Sequence, residues 1–202
     1  MPTLLVFLKY PTPGKVKTRL AAHVGDQRAA ELYREWIGLV LAQVQPLRAD
    51  VRVMGFFDGG TPDDFAAWDS RVDCWLPQPE GDLGNRLRAG FEMAQNAGGP
   101  VVAIGTDCLE IDAALIQGAF DILTEKDAVF GPALDGGYYL LGTARHLAGF
   151  FDGIPWSSQS TLDAHLSVCR EHSWSVGLLP ARRDIDTWED WLAYCERKDQ
   201  RP

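Results

Sequence analysis

The sequence predicts a single α/β domain: a mostly parallel central sheet with helices on both faces. Three observations predict it. Short, unbroken apolar runs recur along the chain, as strands covered on both faces require. Stretches with apolar residues at helical spacing separate them. The alternation runs from start to finish without an internal repeat or a low-complexity linker, so one domain spans residues 1–202.

The elements follow in order. Thr3–Lys9 (TLLVFLK) reads as the first strand, and the prolines of Tyr10–Pro13 end it. Asp26 is placed to cap a helix whose apolar positions are Ala29, Tyr33, Trp36, Ile37, Val40, Leu41 and Val44, ended by Pro46. Val51–Phe57 is a second strand, Thr61–Trp68 a short helix and Cys74–Leu76 a short strand. Asp82 caps a helix running to about Ala97. Val101–Ile104 is again strand. Asp112 caps the clearest helix, with Leu115, Ile116, Ala119, Phe120 and Leu123 on one face. Ala128–Phe130 and Tyr138–Leu141 are strands around a turn at Pro132–Gly137. Ser158–His172 is helical, and Ser175–Leu179 is a late strand. Thr187 opens the last helix with Asp190 as its box partner and a stripe of Trp188, Trp191, Leu192 and Cys195; the tail from Lys198 is expected to fray.

Composition bounds the function. Apolar residues at 46% and charged residues at 23% are ordinary for a globular protein. The first apolar run is too short to cross a bilayer and lacks the flanks of a secretion signal, which predicts a cytoplasmic protein. Four cysteines with no CxxC spacing read as reduced and packed rather than as a zinc site. Net charge is −9, yet residues 1–25 carry Lys9, Lys15, Lys17 and Arg19 and no acid. An acidic body excludes nucleic acid and membrane as partners. A short basic segment on it suits a compact polyanion such as a diphosphate or triphosphate, or else is a solvated loop.

Ligands of open α/β sheets bind beyond the carboxyl ends of strands, so polar residues there are candidates. Five segments qualify, each with a plainer competing reading. Tyr10–Leu20 (YPTPGKVKTRL) follows the first strand. Gly14 and its prolines shape a tight loop, and an extended stretch would aim Lys15, Lys17 and Arg19 the same way, toward a phosphate chain. It is neither a Walker loop nor a dinucleotide fingerprint, and a solvated loop is the alternative. Asp107, in Ile104-Gly105-Thr106-Asp107-Cys108, sits where a magnesium carboxylate would sit, or caps a helix. Asp184 and Asp186, two apart, point to one side of an extended chain and could share a cation; helix capping is the alternative. Gly81–Leu87 (GDLGNRL) offers Gly84 for close backbone approach and Arg86 for a base or phosphate. Pro132–Tyr139, with Gly136 and Gly137, suits a pocket wall or a plain hairpin. The four histidines receive no catalytic role; His165, on an apolar helix face, reads as packed. The tryptophans read as core, with Trp156 the one candidate for a pocket wall.

In order along the chain, FLKYPTPGKVKTRL, GDLGNRL, IGTDC, GPALDGGYYLLG, IPWSSQSTL and DIDTWEDW resemble the rSAM/selenodomain-associated, glycosyltransferase-like members of the nucleotide-diphospho-sugar transferase superfamily. The chain is more distantly similar to 2-phospholactate guanylyltransferases. The resemblance covers nearly the whole chain and implies a GT-A-like nucleotide-diphospho-sugar transferase fold. It implies a magnesium-dependent transferase, manganese being possible instead, with a nucleotide or nucleotide-sugar donor and a small-molecule acceptor. It implies that Gly14, Lys15, Lys17, Arg19, Gly84 and Arg86 hold the nucleotide and its phosphates, and that Lys17, Arg19 and Asp107 take part in catalysis. Asp107, Asp184 and Asp186 would bind the metal, and Gly136, Gly137 and Ser157 would face the acceptor. The chain departs from the expected pattern after Asp107, where Leu109 and Glu110 replace a proline. Glycosyl transfer, nucleotidyl transfer with pyrophosphate release, nucleotide hydrolysis and an inactive nucleotide-binding module all remain open from sequence. No covalent nucleophile is evident, so charge stabilisation on leaving phosphate oxygens is the main expected lever.

Overall fold

The computed structural model describes residues 1–96 and 98–199. Seven strands form one sheet: β1 Thr3–Lys9, β2 Arg52–Asp58, β3 Cys74–Pro77, β4 Val101–Ile104, β5 Ala128–Pro132, β6 Tyr138–Thr143 and β7 Val176–Leu178. Their order is β3-β2-β1-β4-β6-β5-β7. All neighbours are parallel except at β6, which runs against both β4 and β5. Only residues 133–137 join β5 to β6. That is enough for a hairpin and far too little for a parallel crossover.

The apolar runs divide their side chains between two cores, as the two-residue period of a strand requires. Leu4, Val6 and Leu8 of β1, and Val102 and Ile104 of β4, pack on one face beneath α1 Thr18–Val24, α2 Asp26–Val44, α4 Ala113–Ile122 and α6 Trp188–Asp199. Leu5, Val101 and Ala103 pack on the other, beneath α3 Leu83–Gln95 and α5 Thr161–Glu171.

The predicted elements are present, with several differences. Asp26 does not cap α2: the N-cap is Gly25, at φ 82, and Asp26 is the first helical residue. α1 has no counterpart in the sequence reading, because no side chain caps it: its N-cap, Lys17, sits in the left-handed region at φ 48. The predicted helix at Thr61 is instead a 3₁₀ segment, Pro62–Arg71, opened by a reciprocal Thr61–Asp64 capping box. α5 starts at Thr161 rather than Ser158, because the Ser158 hydroxyl bonds the Pro155 carbonyl and Ser160, an alternative to helix that short polar side chains favour. In α6 the packed stripe is Trp188, Trp191 and Tyr194, while Leu192 is exposed. α3 ends at Gln95; the predicted end at Ala97, and residues 200–202 of the tail, lie outside the described residues. The capping residues Asp82 and Asp112 are as expected, accepting from the amides of Asn85 and Leu115. No helix among the described residues is long and apolar enough to cross a membrane.

His165 is fully buried on α5. It packs against Phe130 and Phe150, with ring centroids 5.0 and 4.3 Å away, and its Nδ1 lies 3.4 Å from the Tyr138 hydroxyl. Burial lowers its pKa from 6.5 to about 4, with a backbone contact at Phe150 opposing the shift. The unfolded chain accepts a proton that the folded ring refuses. The stability carried by the neutral ring is therefore complete above pH 6.5 and is lost as pH falls to about 4. The ceiling on this loss is about 3 kcal/mol. Urea titrations between pH 7.5 and 4.5 should show His165→Leu losing less stability on acidification than the wild type; equal losses would remove His165 as an acid-labile element.

Candidate active site

The chain leaves β1 to build β2 and β3 on one side, then returns to lay β4 on the other side of β1. Such a reversal opens a crevice beyond the carboxyl ends of the two central strands. The basic loop follows β1 there, and Gly105–Cys108 follows β4. The late segment between β7 and α6 closes in from the far side, its Ile185 amide donating to the Asp107 carbonyl at 2.9 Å. The result is an open cleft of about 770 Å³.

Lys17 is the junction of these three segments. Its Nζ donates to the Ile185 carbonyl at 2.6 Å and lies 2.8 Å from carboxylate oxygens of both Asp107 and Asp186. The ammonium also sits over the rings of Tyr33 and Trp36, 5.8 and 5.6 Å from their centroids. The lysine side chain is 6% exposed, whereas both carboxylates are 43% exposed. Burial pulls the lysine pKa down, but the two carboxylates outweigh it and hold the ammonium above the usual lysine range. The Tyr33 hydroxyl fixes the floor: it accepts from the Lys9 amide at 3.2 Å and pairs with the Thr106 hydroxyl at 2.9 Å.

Asp184 sits deeper. Burial, then the neighbouring Asp107 charge, pushes its pKa up to about 7. Its Oδ1 is buried without a hydrogen-bond partner.

The structure brings Lys15, Lys17, Arg19, Arg86, Asp107, Ser157, Asp184 and Asp186 to the wall of this one cleft. It does not aim the three basic side chains in parallel from an extended strand. The left-handed turn at Lys17 sends its side chain inward, and the helix that follows leaves Arg19 76% exposed, 3.9 Å from Asp186. Four glycines lie off the cleft wall. Gly14 takes φ +75 in the loop beside Asp26, and Gly137 sits in the β5–β6 turn. Gly84 provides room for the indole of Trp156, which is thus a packing residue behind α3 rather than a pocket wall. Gly136, at φ +92, lies so close to the Gln159 backbone that a Cβ would overlap its carbonyl oxygen; its own carbonyl accepts from Leu162 at 3.1 Å. These contacts lock the β5–β6 turn to the loop that presents Ser157, itself left-handed at φ 58. At the replaced proline, Leu109 is buried and its carbonyl accepts from Gln43 at 3.2 Å.

The sequence reading missed a polar group on the opposite wall. Arg86 Nη1 donates to Asp58 at 2.7 Å and to Gln78 at 3.1 Å, and the Gln78 amide is pinned by the carbonyls of Leu8 and Phe56. Asp58 ends β2 and Gln78 follows β3. The strand-end rule that singled out Asp107 would have found both.

The profile of a bacterial family described as uncharacterized conserved proteins (DUF2064) matches residues 41–158. A candidate nucleotide-diphospho-sugar transferase of Desulfovibrio desulfuricans G20 is 33% identical over 98% of this chain and 88% of that one, with a TM-score of 0.89. The chain belongs to the nucleotide-diphospho-sugar transferase family. As a member it is a transferase. Two more remote structures share the fold of this transferase. Rv0371c of Mycobacterium tuberculosis H37Rv, solved in complex with manganese, is 17% identical over 96% of this chain and 97% of that one (TM-score 0.59). The 4-diphosphocytidyl-2C-methyl-D-erythritol synthase of Anaerococcus prevotii DSM 20548 is 9% identical over 100% and 99% (TM-score 0.66). No protein of curated function matches the sequence.

The carboxylates of the transferase fit a hard divalent cation of limited protein ligation. Among the described residues no group of three His, Cys, Asp or Glu forms an all-protein cage. Magnesium does not need one: it takes one or two carboxylates and completes its shell with water and phosphate oxygens. Asp107 and Asp186, half-exposed, and the unpartnered Asp184 Oδ1 are donors of that kind.

Gly136→Ala should lower the unfolding free energy by about 1–3 kcal/mol, and with it the urea midpoint, because the new Cβ meets backbone and the φ is unfavourable for alanine. An unchanged midpoint in urea would show that the turn and the Ser157 loop are not locked together.

Proposed function

We propose that this transferase moves a sugar from a nucleotide-activated donor to an oxygen of a small-molecule acceptor, with magnesium, or manganese in its place, as cofactor. The acceptor oxygen bonds to the anomeric carbon, the bond from that carbon to the diphosphate breaks, the nucleoside diphosphate departs with the electron pair, and the acceptor proton is released. One observation carries the reading: basic and acidic groups from three remote stretches of a chain of this family line a single cleft at the sheet's switch point. The manganese complex of Rv0371c supports the choice of a divalent cation.

Asp107, Asp184 and Asp186 would supply the one or two carboxylates that hold the metal. When bound, magnesium spreads the charge of the diphosphate and eases its departure. Lys15 and Arg19, at the mouth of the cleft, would meet the outer phosphate oxygens, with the turn at Gly14 setting the loop. Lys17 and Arg19 would stabilise charge developing on the leaving group. Arg86, steadied by Asp58 and Gln78, would meet the nucleoside side of the donor, with Gly84 shaping the start of α3 beneath it. Ser157, backed by Gly136 and Gly137, would face the acceptor. We place the reaction in the cytoplasm, where nucleotide-activated donors are made.

Purified protein incubated with magnesium and a panel of nucleotide sugars and nucleoside triphosphates tests the reading. Release of nucleoside diphosphate from a nucleotide sugar is expected. Pyrophosphate release would reassign the chain to nucleotidyl transfer, and binding without turnover would make it a nucleotide-binding module. Asp107→Asn should lower turnover by at least about a hundredfold while the circular dichroism spectrum is retained. Arg19→Ala should weaken donor binding by only about 1 kcal/mol, because its side chain remains largely hydrated; a larger loss in a calorimetric titration would move Arg19 into the closed part of the site.

A further inference from the structure

An ammonium group has three protons to donate. Lys17 commits all three to the protein: to the Ile185 carbonyl, to Asp107 and to Asp186. In this arrangement it has none for a phosphate. It also lies between two of the three carboxylates that would hold a divalent cation, with an oxygen of each 2.8 Å away. The third, Asp184, keeps a buried oxygen without a partner. The residue adopts a left-handed backbone uncommon outside glycine, which turns the side chain into the carboxylates rather than along the loop.

The geometry points to Lys17 as an internal counter-ion that competes with the divalent metal. The ammonium neutralises the acidic cleft when the cleft is empty. It must give up at least one carboxylate before metal and diphosphate can engage, and the proton it frees becomes available to the arriving phosphate. Metal alone then binds weakly, because it must displace a resident cation without supplying a new partner for it. Metal with a diphosphate binds well, because the diphosphate provides that partner. The inference rests on the proposed use of a divalent cation but concerns the order of binding, which that reading leaves open.

Manganese alone is the probe, titrated into protein free of nucleotide and followed by the paramagnetic resonance signal of the free ion. Lys17→Met should bind manganese at least about tenfold more tightly than the wild type, the scale on which one adjacent charge moves an ionic equilibrium. Lys17→Arg, which keeps the charge, should bind it as weakly as the wild type. Equal or weaker binding by a folded Lys17→Met, or an equal gain in Lys17→Arg, would overturn the proposal. Should Lys17→Met melt early through repulsion among its carboxylates, manganese must raise its Tm by more than it raises that of the wild type. A variant that manganese fails to stabilise also overturns the proposal. Tighter manganese in the variant without any transfer activity in the wild type would count against the proposed function alone. Transfer activity with no gain in the variant would count against the counter-ion alone.

Discussion

The site depends on one buried cation. Lys17 ties the loop after β1 to the loop after β4 and to the segment before α6, and Ile185 lies 168 residues away along the chain. Withdrawing an ammonium from water is expensive and is offset only when its protons find good acceptors and opposite charges lie close by. Both conditions are met here, with two carboxylates, a carbonyl and two aromatic faces around the nitrogen. Removing the ammonium leaves the Asp107 and Asp186 carboxylates without the charge between them. The same contacts that give the cleft its shape therefore also set its charge.

The sheet makes this convergence possible. Because β4 returns beside β1, two loops far apart in sequence share one edge. α2 supports them from beneath: Tyr33 joins the end of β1 to Thr106, and Trp36 packs under the ammonium and against Trp191 of α6. The reversed strand β6 has a separate consequence. Its hairpin with β5 carries the turn at Gly136 to the loop holding Ser157, and so supports the part of the cleft that Ser157 lines. The core and the cleft thus share their supports, and packing changes at Tyr33 or Gly136 reach the site directly.

Charge distribution sorts the cleft into two parts. Lys9, Lys15 and Arg19 lie on the wall formed around the loop after β1, and Arg86 sits with Asp58 across from them. Asp107, Asp184 and Asp186 form the acidic part. In an acidic chain, a local group of cations focuses a polyanion onto one place. The acidic part beneath demands a cation of its own, which the protein meets with Lys17.

The sequence by itself determined the layered α/β class, because unbroken apolar runs and helical stripes depend only on local periodicity. It also marked Asp107, Asp184, Asp186, Lys15, Lys17 and Arg19, because strand ends can be located from where the apolar runs stop. The left-handed turn at Lys17 and the short helix after it were not legible, since no capping side chain announces them. Asp58 and Gln78 went unmarked, and their group with Arg86 was not legible, since its members come from a strand, the segment after another strand and a helix. Gly84 and Gly136 read as ligand-facing and are instead spaces filled by Trp156 and the Gln159 backbone. Only the tertiary structure decided which acids face which cation, because pairing between distant loops is set by strand order and by the direction of a single backbone turn, and neither leaves a local pattern in the chain.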